Sequence, residues 1–340
     1  MYNFRCAPDI SPNILHRIGP EVFSPNTVAA EMSLALIDPD CYQKMMQERR
    51  PEHEIEQVGL ALLQGQQNIL NLCPGNGVIL CGPAGAGKTS LTAHLLGGLK
   101  HMKHTPSAKL LDKERTAFFR ERPDCEDPHW YERQLLETWV TIRTAALFDM
   151  LTKELPKLKK QHSLSTDEII IGGVIQSLVT LCAYTNTYQT DRLTGEIRLP
   201  DSMLQLIMLS MTYWTPRVFV FVDAEKSVRK ERVDKSGEID PFEVLKRKLP
   251  FDFDDTLRKL TVNTLRYIEL YGQSHNVPFN FVYYPTSGGV APKLIGSTIF
   301  TPSSLCAYIY SHQNHRELHH YWSRITDCWG DETDFGFCEY

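Results

Sequence analysis

The stretch ILCGPAGAGKTSL, residues 79–91, joins an apolar segment to a glycine-rich loop. The apolar residues Val78–Cys81 predict a buried strand, and Lys88–Leu99 predict a helix. Between them, Gly82–Thr89 match the spacing G-x-x-x-x-G-K-[ST] of a phosphate-binding loop. A strand before the loop and a helix after it are the structural context that this motif requires.

Each residue type of this loop has a physical role in holding phosphate. Glycines let backbone amides converge on phosphate oxygens without a clash from a Cβ atom, and the following helix presents its positive N-terminus. We expect the Lys88 ammonium to reach the β- and γ-phosphates, and the Thr89 hydroxyl to complete the ligand shell of a magnesium ion. The expected cofactors are therefore ATP and Mg²⁺. The expected nucleotide contacts are Gly82, Pro83, Ala84, Gly85, Ala86, Gly87, Lys88, Thr89 and Ser90.

The composition is that of a globular protein without a strongly charged surface. The 340 residues carry 36 basic and 41 acidic side chains, a net charge of −5, which gives no overall reason to expect tight binding to a nucleic-acid backbone. No apolar run reaches the roughly 18 residues of a membrane helix, so no membrane partner is expected. The nine cysteines form no CxxC pair, which favours reduced thiols in a cytoplasmic compartment.

Apolar strands alternate with amphipathic helices along the middle of the chain. The strands DEIIIGGV, RVFVFVDA and VPFNFVYY contain runs of consecutive apolar residues instead of a polar–apolar alternation, which predicts a parallel sheet covered on both faces. The sequence therefore predicts an α/β fold of the P-loop NTPase type, a three-layer sandwich with about five parallel strands. We expect an N-terminal arm (1–50) with one short helix near 26–37, a P-loop domain (51–285), and a C-terminal helical extension (286–340).

A basic helix follows the most apolar strand. The strand ends near Asp223, and Arg229 and Arg232 lie three residues apart on the predicted helix behind it. Small-molecule kinases need a cationic flap that closes over the transferring phosphoryl group, excludes water and neutralises charge. We therefore expect Lys88, Arg229, Arg232 and Asp223 to be catalytic, with Thr89 and Asp223 serving the metal. A solvated basic helix face is the structural alternative.

From about Val78 to Tyr284 the chain resembles a thymidylate kinase, within the wider group of P-loop nucleotide and deoxynucleoside kinases. The helix, strand and serine motifs of that family correspond to Leu147-Phe148, Ile169–Ile171, Ser177 and Ala183-Tyr184. The segment VFVFVDAEKSVRKERV and the last helix and strand are also similar to the family. The resemblance implies a kinase-like domain over residues 51–285 and ATP-dependent phosphoryl transfer to a nucleotide or nucleoside-like acceptor.

One position departs from the family pattern. The family has an Asp-Arg pair after the strand, where this sequence has Gly172-Gly173. The charges have three alternative sources: Asp191-Arg192 in the following loop, Asp223 at the next strand end, or Arg143 on the apolar stripe of its helix. Alternatively, the chain is a pseudo-kinase or P-loop ATPase switch that binds nucleotide without transfer. The intact glycine loop and basic helix favour a working phosphotransferase.

The acceptor side is expected in a polar, charged insertion or lid at residues 101–131. Its basic and aromatic residues are Lys103, Lys109, Arg115, Phe118, Phe119, Arg120, Arg122, Trp130 and Tyr131. Aromatic rings stack on bases, and arginines hold monophosphates. The same mixture would grip a flipped or single-stranded base, so a kinase of a modified base in DNA is an alternative, as is an ordinary exposed loop. A nucleic-acid partner and a homodimer are left open.

Overall fold

The computed structural model describes residues 23–66, 72, 77–99, 103–105, 140, 143–156, 168–213, 216–235, 252–277, 279–287 and 301–312. The described helices are α1 (Pro25–Ile37), α2 (Pro39–Gln47), α3 (Glu52–Gln66), α4 (Lys88–Gly98), α5 (143–156), α6 (Gly173–Thr185), α7 (Asp201–Met211), α8 (Lys226–Lys235), α9 (Phe253–Ser274) and α10 (Pro302–His312). The described strands are β1 (Gly77–Cys81), β2 (Lys103–Thr105), β3 (Glu168–Ile171), β4 (Gln189–Thr190), β5 (Ile197–Arg198), β6 (Pro216–Asp223) and β7 (Asn280–Pro285).

A five-stranded parallel sheet in the order β2-β3-β1-β6-β7 forms the middle of the fold. The central strand is β1, whose residue Ile79 lies beside Ile170 of β3 on one side and Phe219 of β6 on the other. The prediction of a parallel sheet with about five strands is confirmed. The strand that carries the glycine loop is thus supported by a neighbour on each side.

The sequence does not predict β2, the β4–β5 hairpin or α2, which is a second helix in the expected N-terminal arm. Edge strand β2 pairs with β3 through Lys103 and Glu168, and it lies inside the segment 101–131 that was expected to leave the sheet. That expectation is corrected for residues 103–105, because three polar residues carry no strand pattern although short edge strands with lysine are common. Residues 106–131 lie outside the described residues. The second element is the antiparallel hairpin β4–β5, where a loop was expected.

Alternate residues of the strands face opposite sides of the sheet, and helices pack on both sides. The side that packs with α4 and α10 is formed by Val78, Leu80, Ile169, Val218, Val220, Val222, Val282 and Tyr284. The side that packs with α1, α3, α5, α6, α7 and α9 is formed by Ile79, Cys81, Ile170, Phe219, Phe221, Phe281 and Tyr283. The predicted three-layer sandwich is therefore confirmed.

Helix α1 occupies the place of the short helix predicted near residues 26–37. Ser24 caps it, because the Ser24 side chain accepts a hydrogen bond from the backbone nitrogen of Thr27 at 3.3 Å. Met32 and Leu34 are fully buried in the apolar cluster that also contains one side of the sheet. The described part of the expected N-terminal arm thus contributes to the core.

Two further predicted helices lie partly outside the described residues. The helix expected to carry Arg143 on an apolar stripe is present in α5, which contains a π-helical turn at Met150–Glu154. A helix of the expected C-terminal extension is present in α10, which is described as far as His312. Among the described helices, none combines the length and the apolar character that crossing a bilayer needs.

Helices α1 and α3 cross with almost no space between their backbones at Gly59. A Cβ atom on Gly59 would lie closer than 3.0 Å to three backbone atoms of Ala30, which is itself fully buried. We predict that Gly59→Ala lowers the free energy of unfolding by about 1–3 kcal/mol, because the added methyl group forces the two helices apart. Urea unfolding followed by far-ultraviolet circular dichroism measures the change.

The matched control is Gly65→Ala on the same helix. A Cβ atom at Gly65 would have no neighbour within 4 Å. This substitution should leave stability unchanged or raise it by up to about 1 kcal/mol, because alanine favours the helix over glycine. Equal effects of the two substitutions would contradict the described packing of α1 on α3.

Candidate phosphate-binding site

The glycine loop begins where β1 ends, in a conformation that side chains would obstruct. Gly82, Gly85 and Gly87 have φ angles of 144°, 72° and 97°, in the region that favours glycine. A Cβ atom on Gly82 would lie closer than 3.0 Å to the Val222 carbonyl oxygen, and one on Gly85 would lie 2.7 Å from the Arg229 carbonyl oxygen. The loop backbone is therefore wedged between β6 and α8.

The loop lies at the carboxyl edge of the sheet, where the connections of neighbouring strands diverge. From β1 the chain crosses to β2 on one side, whereas from β6 it crosses to β7 on the other side. Ligands of α/β sheets bind at such a switch point, where the diverging connections leave a crevice. Helix α4 begins at Lys88, directly after the loop, and its first turn offers amide donors and a positive dipole end. The arrangement therefore suits an anion.

Lys88 lies against the start of the loop. Its Nζ donates hydrogen bonds to the carbonyl oxygens of Gly82 and Pro83, each at 2.7 Å. These bonds hold the ammonium group on the loop, where the phosphate-binding motif requires a cation. The structure thus brings the predicted lysine to the predicted loop.

Thr89 and Ser90 are exposed in the first turn of α4. A hydroxyl oxygen at Thr89 fits Mg²⁺, a hard cation that takes oxygen ligands and keeps several waters. The described part of the chain contains no group of three or more His, Cys, Asp and Glu side chains that could hold a metal ion. A magnesium ion beside Thr89 would therefore take its other ligands mainly from phosphates and water.

Arg232 is the cation that α8 places on the loop. Its Nη1 donates to the carbonyl oxygen of Gly85 at 3.2 Å and to the hydroxyl of Thr286 at 2.8 Å, and its Nη2 donates to the Thr286 carbonyl oxygen at 3.2 Å. The Thr286 hydroxyl donates in turn to the carbonyl oxygen of Ala86 at 2.7 Å. The loop, α8 and the residue after β7 are thereby joined around one exposed guanidinium group.

Arg229 was also expected over a phosphoryl group, and the structure places its side chain differently from that of Arg232. The residue is 6% exposed, and its Nε donates to the carbonyl oxygen of Ala224 at 3.0 Å. Its Nη1 lies 3.3 Å from a carboxylate oxygen of Asp254 in α9. The guanidinium group therefore connects the start of α8 to the start of α9. Spacing along the helix predicted two similar arginines, but of these two guanidinium groups the described hydrogen bonds join only that of Arg232 to the loop.

Asp223 ends β6 in an ion pair. It is 5% exposed, and its two carboxylate oxygens accept hydrogen bonds from the backbone nitrogen of Ala224 at 2.9 Å and from Nε of Arg258 at 2.7 Å. The structure thus places a cation from α9 against the carboxylate that was expected to support a metal ion. Sequence could not show this pairing, since the partner lies 35 positions further along the chain.

The ion pair also affects its neighbours. Burial opposes the charge on Arg258, but the hydrogen bond from Arg258 to Asp223 and the Asp223 charge outweigh it, so the pKa of Arg258 is raised above its ordinary value. Burial, with the nearby Asp223 charge, also raises the pKa of Tyr283 on β7. With both pKa values raised, Arg258 stays charged and the Tyr283 hydroxyl stays protonated at neutral pH.

The turn after β3 brings a side chain to the loop that the sequence did not indicate. Gly172 and Gly173 have φ angles of 74° and 52°, and a Cβ atom on Gly172 would lie 2.8 Å from Cβ of Gln176. Oε1 of Gln176 accepts a hydrogen bond from the backbone nitrogen of Gly82 at 2.9 Å. At the place of the family's Asp-Arg pair, this chain therefore has a compact turn and an amide. The only sequence signal was a polar residue early in α6.

The other candidate sources of charge do not meet at the loop in the described contacts. Asp191 lies in the turn of the β4–β5 hairpin, where its carboxylate accepts from the backbone nitrogens of Leu193 and Thr194 at 2.8 Å each. These bonds, that from Thr194 first, lower the pKa of Asp191. Arg143 is half-buried on α5. The predicted acceptor residues from 106 to 131 lie outside the described residues.

Comparisons with known proteins concern the fold. No model of a known protein family matches the chain, and no curated protein matches it in sequence. Three solved structures of deoxyadenosine kinase from M. mycoides match the chain. The structure with dATP has 16% sequence identity and a TM-score of 0.34, and the match covers 61% of this chain and 89% of that chain. The structure with the products dCMP and a flexible dCDP has 13% identity, coverage of 69% and 97%, and a TM-score of 0.33, and the structure with dCTP has 13% identity, coverage of 61% and 88%, and a TM-score of 0.32. The parallel sheet, the glycine loop and the helices on both faces give this chain the three-layer α/β fold of a P-loop protein, as the sequence predicted.

We predict that removing the cation from the Asp223–Arg258 pair destabilises the fold, because the Asp223 carboxylate is buried. Arg258→Met should lower the free energy of unfolding by about 2–4 kcal/mol, because it leaves a buried carboxylate without its cation. Adding Asp223→Asn should restore part of this loss, which gives a coupling energy of about 1 kcal/mol or more in a double-mutant cycle. Chemical denaturation of the four proteins measures it.

The control cycle uses Glu231 and Lys235 on α8, an exposed pair four residues apart. Its coupling energy should stay below about 0.5 kcal/mol, because water screens exposed charges. Similar coupling in the two cycles would show that Asp223 and Arg258 do not form the described buried pair.

Proposed function

We propose that the chain is a phosphotransferase that uses ATP and Mg²⁺ to phosphorylate a nucleotide or nucleoside-like acceptor. The observation that supports this best is the loop Gly82–Thr89, which lies at the switch point of a parallel sheet with Lys88 and Arg232 in contact with it. Amide donors, a helix N-terminus and two cations together suit a polyphosphate better than a monoanion. Thymidylate kinase-like specificity is the finer part of the proposal, and it depends on the resemblance in sequence.

The chain's own residues account for the phosphate end of the reaction. The loop amides and Lys88 would hold the β- and γ-phosphates, and the Thr89 hydroxyl would hold the magnesium ion, which neutralises charge on the phosphate oxygens when bound. Arg232 would turn its exposed guanidinium group from Gly85 and Thr286 toward the transferring group. Such positioning and charge stabilisation supply most of the catalysis in phosphoryl transfer, because the protein has little covalent chemistry to perform.

The transfer itself is a single displacement. An acceptor oxygen forms a bond to the γ-phosphorus while the bond to the bridging oxygen of ADP breaks, so ADP carries away the electron pair. A hydroxyl acceptor must also release a proton, whereas a phosphate monoester is largely ionised at pH 7. A nucleoside and a nucleoside monophosphate therefore place different demands on a general base.

A nucleotide-binding protein without phosphoryl transfer is the second candidate. Two observations favour it: Asp223 is paired with Arg258, and Gly172-Gly173 replace the family's charged pair. The last residue of β6 thus has a cation as its partner, and the two residues directly after β3 carry no charge. Nucleotide binding would then serve to order a surface for a partner.

The cysteines support the proposal of a reducing, cytoplasmic environment. The cysteines in the described part of the chain that the structure shows as free thiols are Cys41, Cys81, Cys182 and Cys306. Burial raises the pKa of the last three to about 12, so they stay protonated. Cys81, one residue before the loop, is therefore excluded as a nucleophile in the transfer.

Transfer of labelled phosphate tests the proposal. The full chain is incubated with γ-labelled ATP, Mg²⁺ and separate panels of nucleosides, nucleoside monophosphates and DNA that carries modified bases. We expect label on one acceptor class, and we expect Lys88→Ala and Arg232→Ala each to lower the rate about a hundredfold or more. Arg266→Ala is the matched control, because Arg266 is exposed and its Nη1 lies 4.0 Å from Oε1 of Glu196 in the hairpin. The rate of this variant should equal that of the unchanged chain.

Each outcome separates the candidates. Labelled nucleoside or monophosphate supports the kinase, and labelled DNA would assign the acceptor to a modified base. Tight ATP binding without a labelled acceptor, with slow release of free phosphate, would favour the protein that only binds nucleotide. No binding of ATP at all would overturn both.

A further inference from the structure

Two side chains, those of Gln176 and Lys88, form hydrogen bonds with the backbone of Gly82, the first residue of the glycine loop. The backbone nitrogen of Gly82 donates to Oε1 of Gln176 at 2.9 Å, and the carbonyl oxygen of Gly82 accepts from Nζ of Lys88 at 2.7 Å. The same residue has a φ of 144° and lies against the Val222 carbonyl of β6. The orientation of both peptide groups at Gly82 therefore depends on these contacts.

The two side chains differ in what they do when phosphate binds. A phosphate oxygen would compete with the loop carbonyls for the Lys88 ammonium, since it is an anion and they are neutral. Gln176 has no charge and lies on α6, which begins directly after a strand of the sheet. A bound phosphate would therefore compete less for Gln176 than for Lys88, and we expect the contact with Gly82 to remain when Lys88 turns toward a ligand.

The amide orientation of Gln176 is fixed by its surroundings. Because the Gly82 nitrogen is a donor, the side-chain oxygen of Gln176 must face it. The side-chain amide nitrogen of Gln176 donates to the Thr180 hydroxyl at 3.4 Å. That hydroxyl donates in turn to the main-chain carbonyl oxygen of Gln176 at 2.5 Å. Gly172 provides the space, because a Cβ atom there would lie 2.8 Å from Cβ of Gln176.

We propose that Gln176 is a positioning residue that holds the phosphate loop in its binding conformation through the backbone of Gly82. A neutral side chain is required, because a carboxylate would accept the same hydrogen bond but place a negative charge beside a polyphosphate site. The Gly172-Gly173 turn thus replaces a charged pair with a neutral support for the loop. This inference depends on the proposed nucleotide binding.

Two substitutions test the proposal in the full chain, with ATP affinity in the presence of Mg²⁺ measured by isothermal titration calorimetry. Gln176→Met removes the acceptor and leaves the Gly82 nitrogen unsatisfied, so ATP should bind about three- to thirtyfold more weakly. Gln176→Glu keeps the acceptor and adds a charge, so its loss of affinity should shrink as salt rises from about 0.05 M to 0.5 M. For Gln176→Met, the loss of ATP affinity relative to the unchanged chain should be the same at low and at high salt.

The control is Thr185→Val at the other end of α6, which removes a hydroxyl hydrogen bond to the Leu181 carbonyl oxygen. It should leave ATP affinity unchanged, and melting temperatures without nucleotide show whether each variant is folded. If the unchanged chain binds ATP and both Gln176 variants bind it equally well, the inference is overturned. If Gln176→Met does not fold, the salt dependence of Gln176→Glu decides alone, and an absence of loss overturns the proposal. If the unchanged chain does not bind ATP, the proposed function has failed, and the inference with it.

Discussion

The close approach of the loop backbone to its neighbours is the constraint on which the candidate site depends. Gly82 lies against the Val222 carbonyl group of β6. Gly85 lies against α8, where an added Cβ atom would be 2.7 Å from the Arg229 carbonyl oxygen. Only hydrogen atoms fit at both places, so the loop can fold back at the sheet edge with its amides directed to one region. The glycine pattern therefore reflects packing within the fold as well as access for phosphate.

Two arginines near the loop form ion pairs within the fold, whereas a third arginine is exposed. Arg229 and Arg258 are bound to carboxylates, Asp254 and Asp223, and they join α8, α9 and β6 into one frame. Arg232 stays exposed, and its guanidinium group contacts the loop itself. Breaking an ion pair with a buried member is costly, whereas an exposed arginine can change partners at smaller cost. Of these arginines, Arg232 is therefore the one that we expect to exchange its present partners for a ligand.

The sequence predicts the parts of this structure that depend on local patterns. The apolar strands, the glycine motif and the helix that begins at Lys88 follow from periodicity and spacing, and all are present. It does not predict contacts that arise only when distant segments meet: the pairing of Asp223 with Arg258, or the hydrogen bond from Gly82 to Gln176, which spans 94 positions. Arg229 and Arg232 looked equivalent along the chain, and only the packing of α8 shows that their side chains turn to different partners.

Binding of adenosine, AMP, ADP and ATP distinguishes a phosphate site from an ordinary crevice at the edge of a sheet. Calorimetric titration of the full chain in the presence of Mg²⁺ gives the four dissociation constants. If the loop Gly82–Thr89 holds phosphates as its geometry indicates, affinity rises with each added phosphate, and ATP binds at least about tenfold more tightly than AMP, a difference of about 1.4 kcal/mol. Equal affinities for adenosine and ATP, or no binding of either, would contradict a phosphate site in this loop.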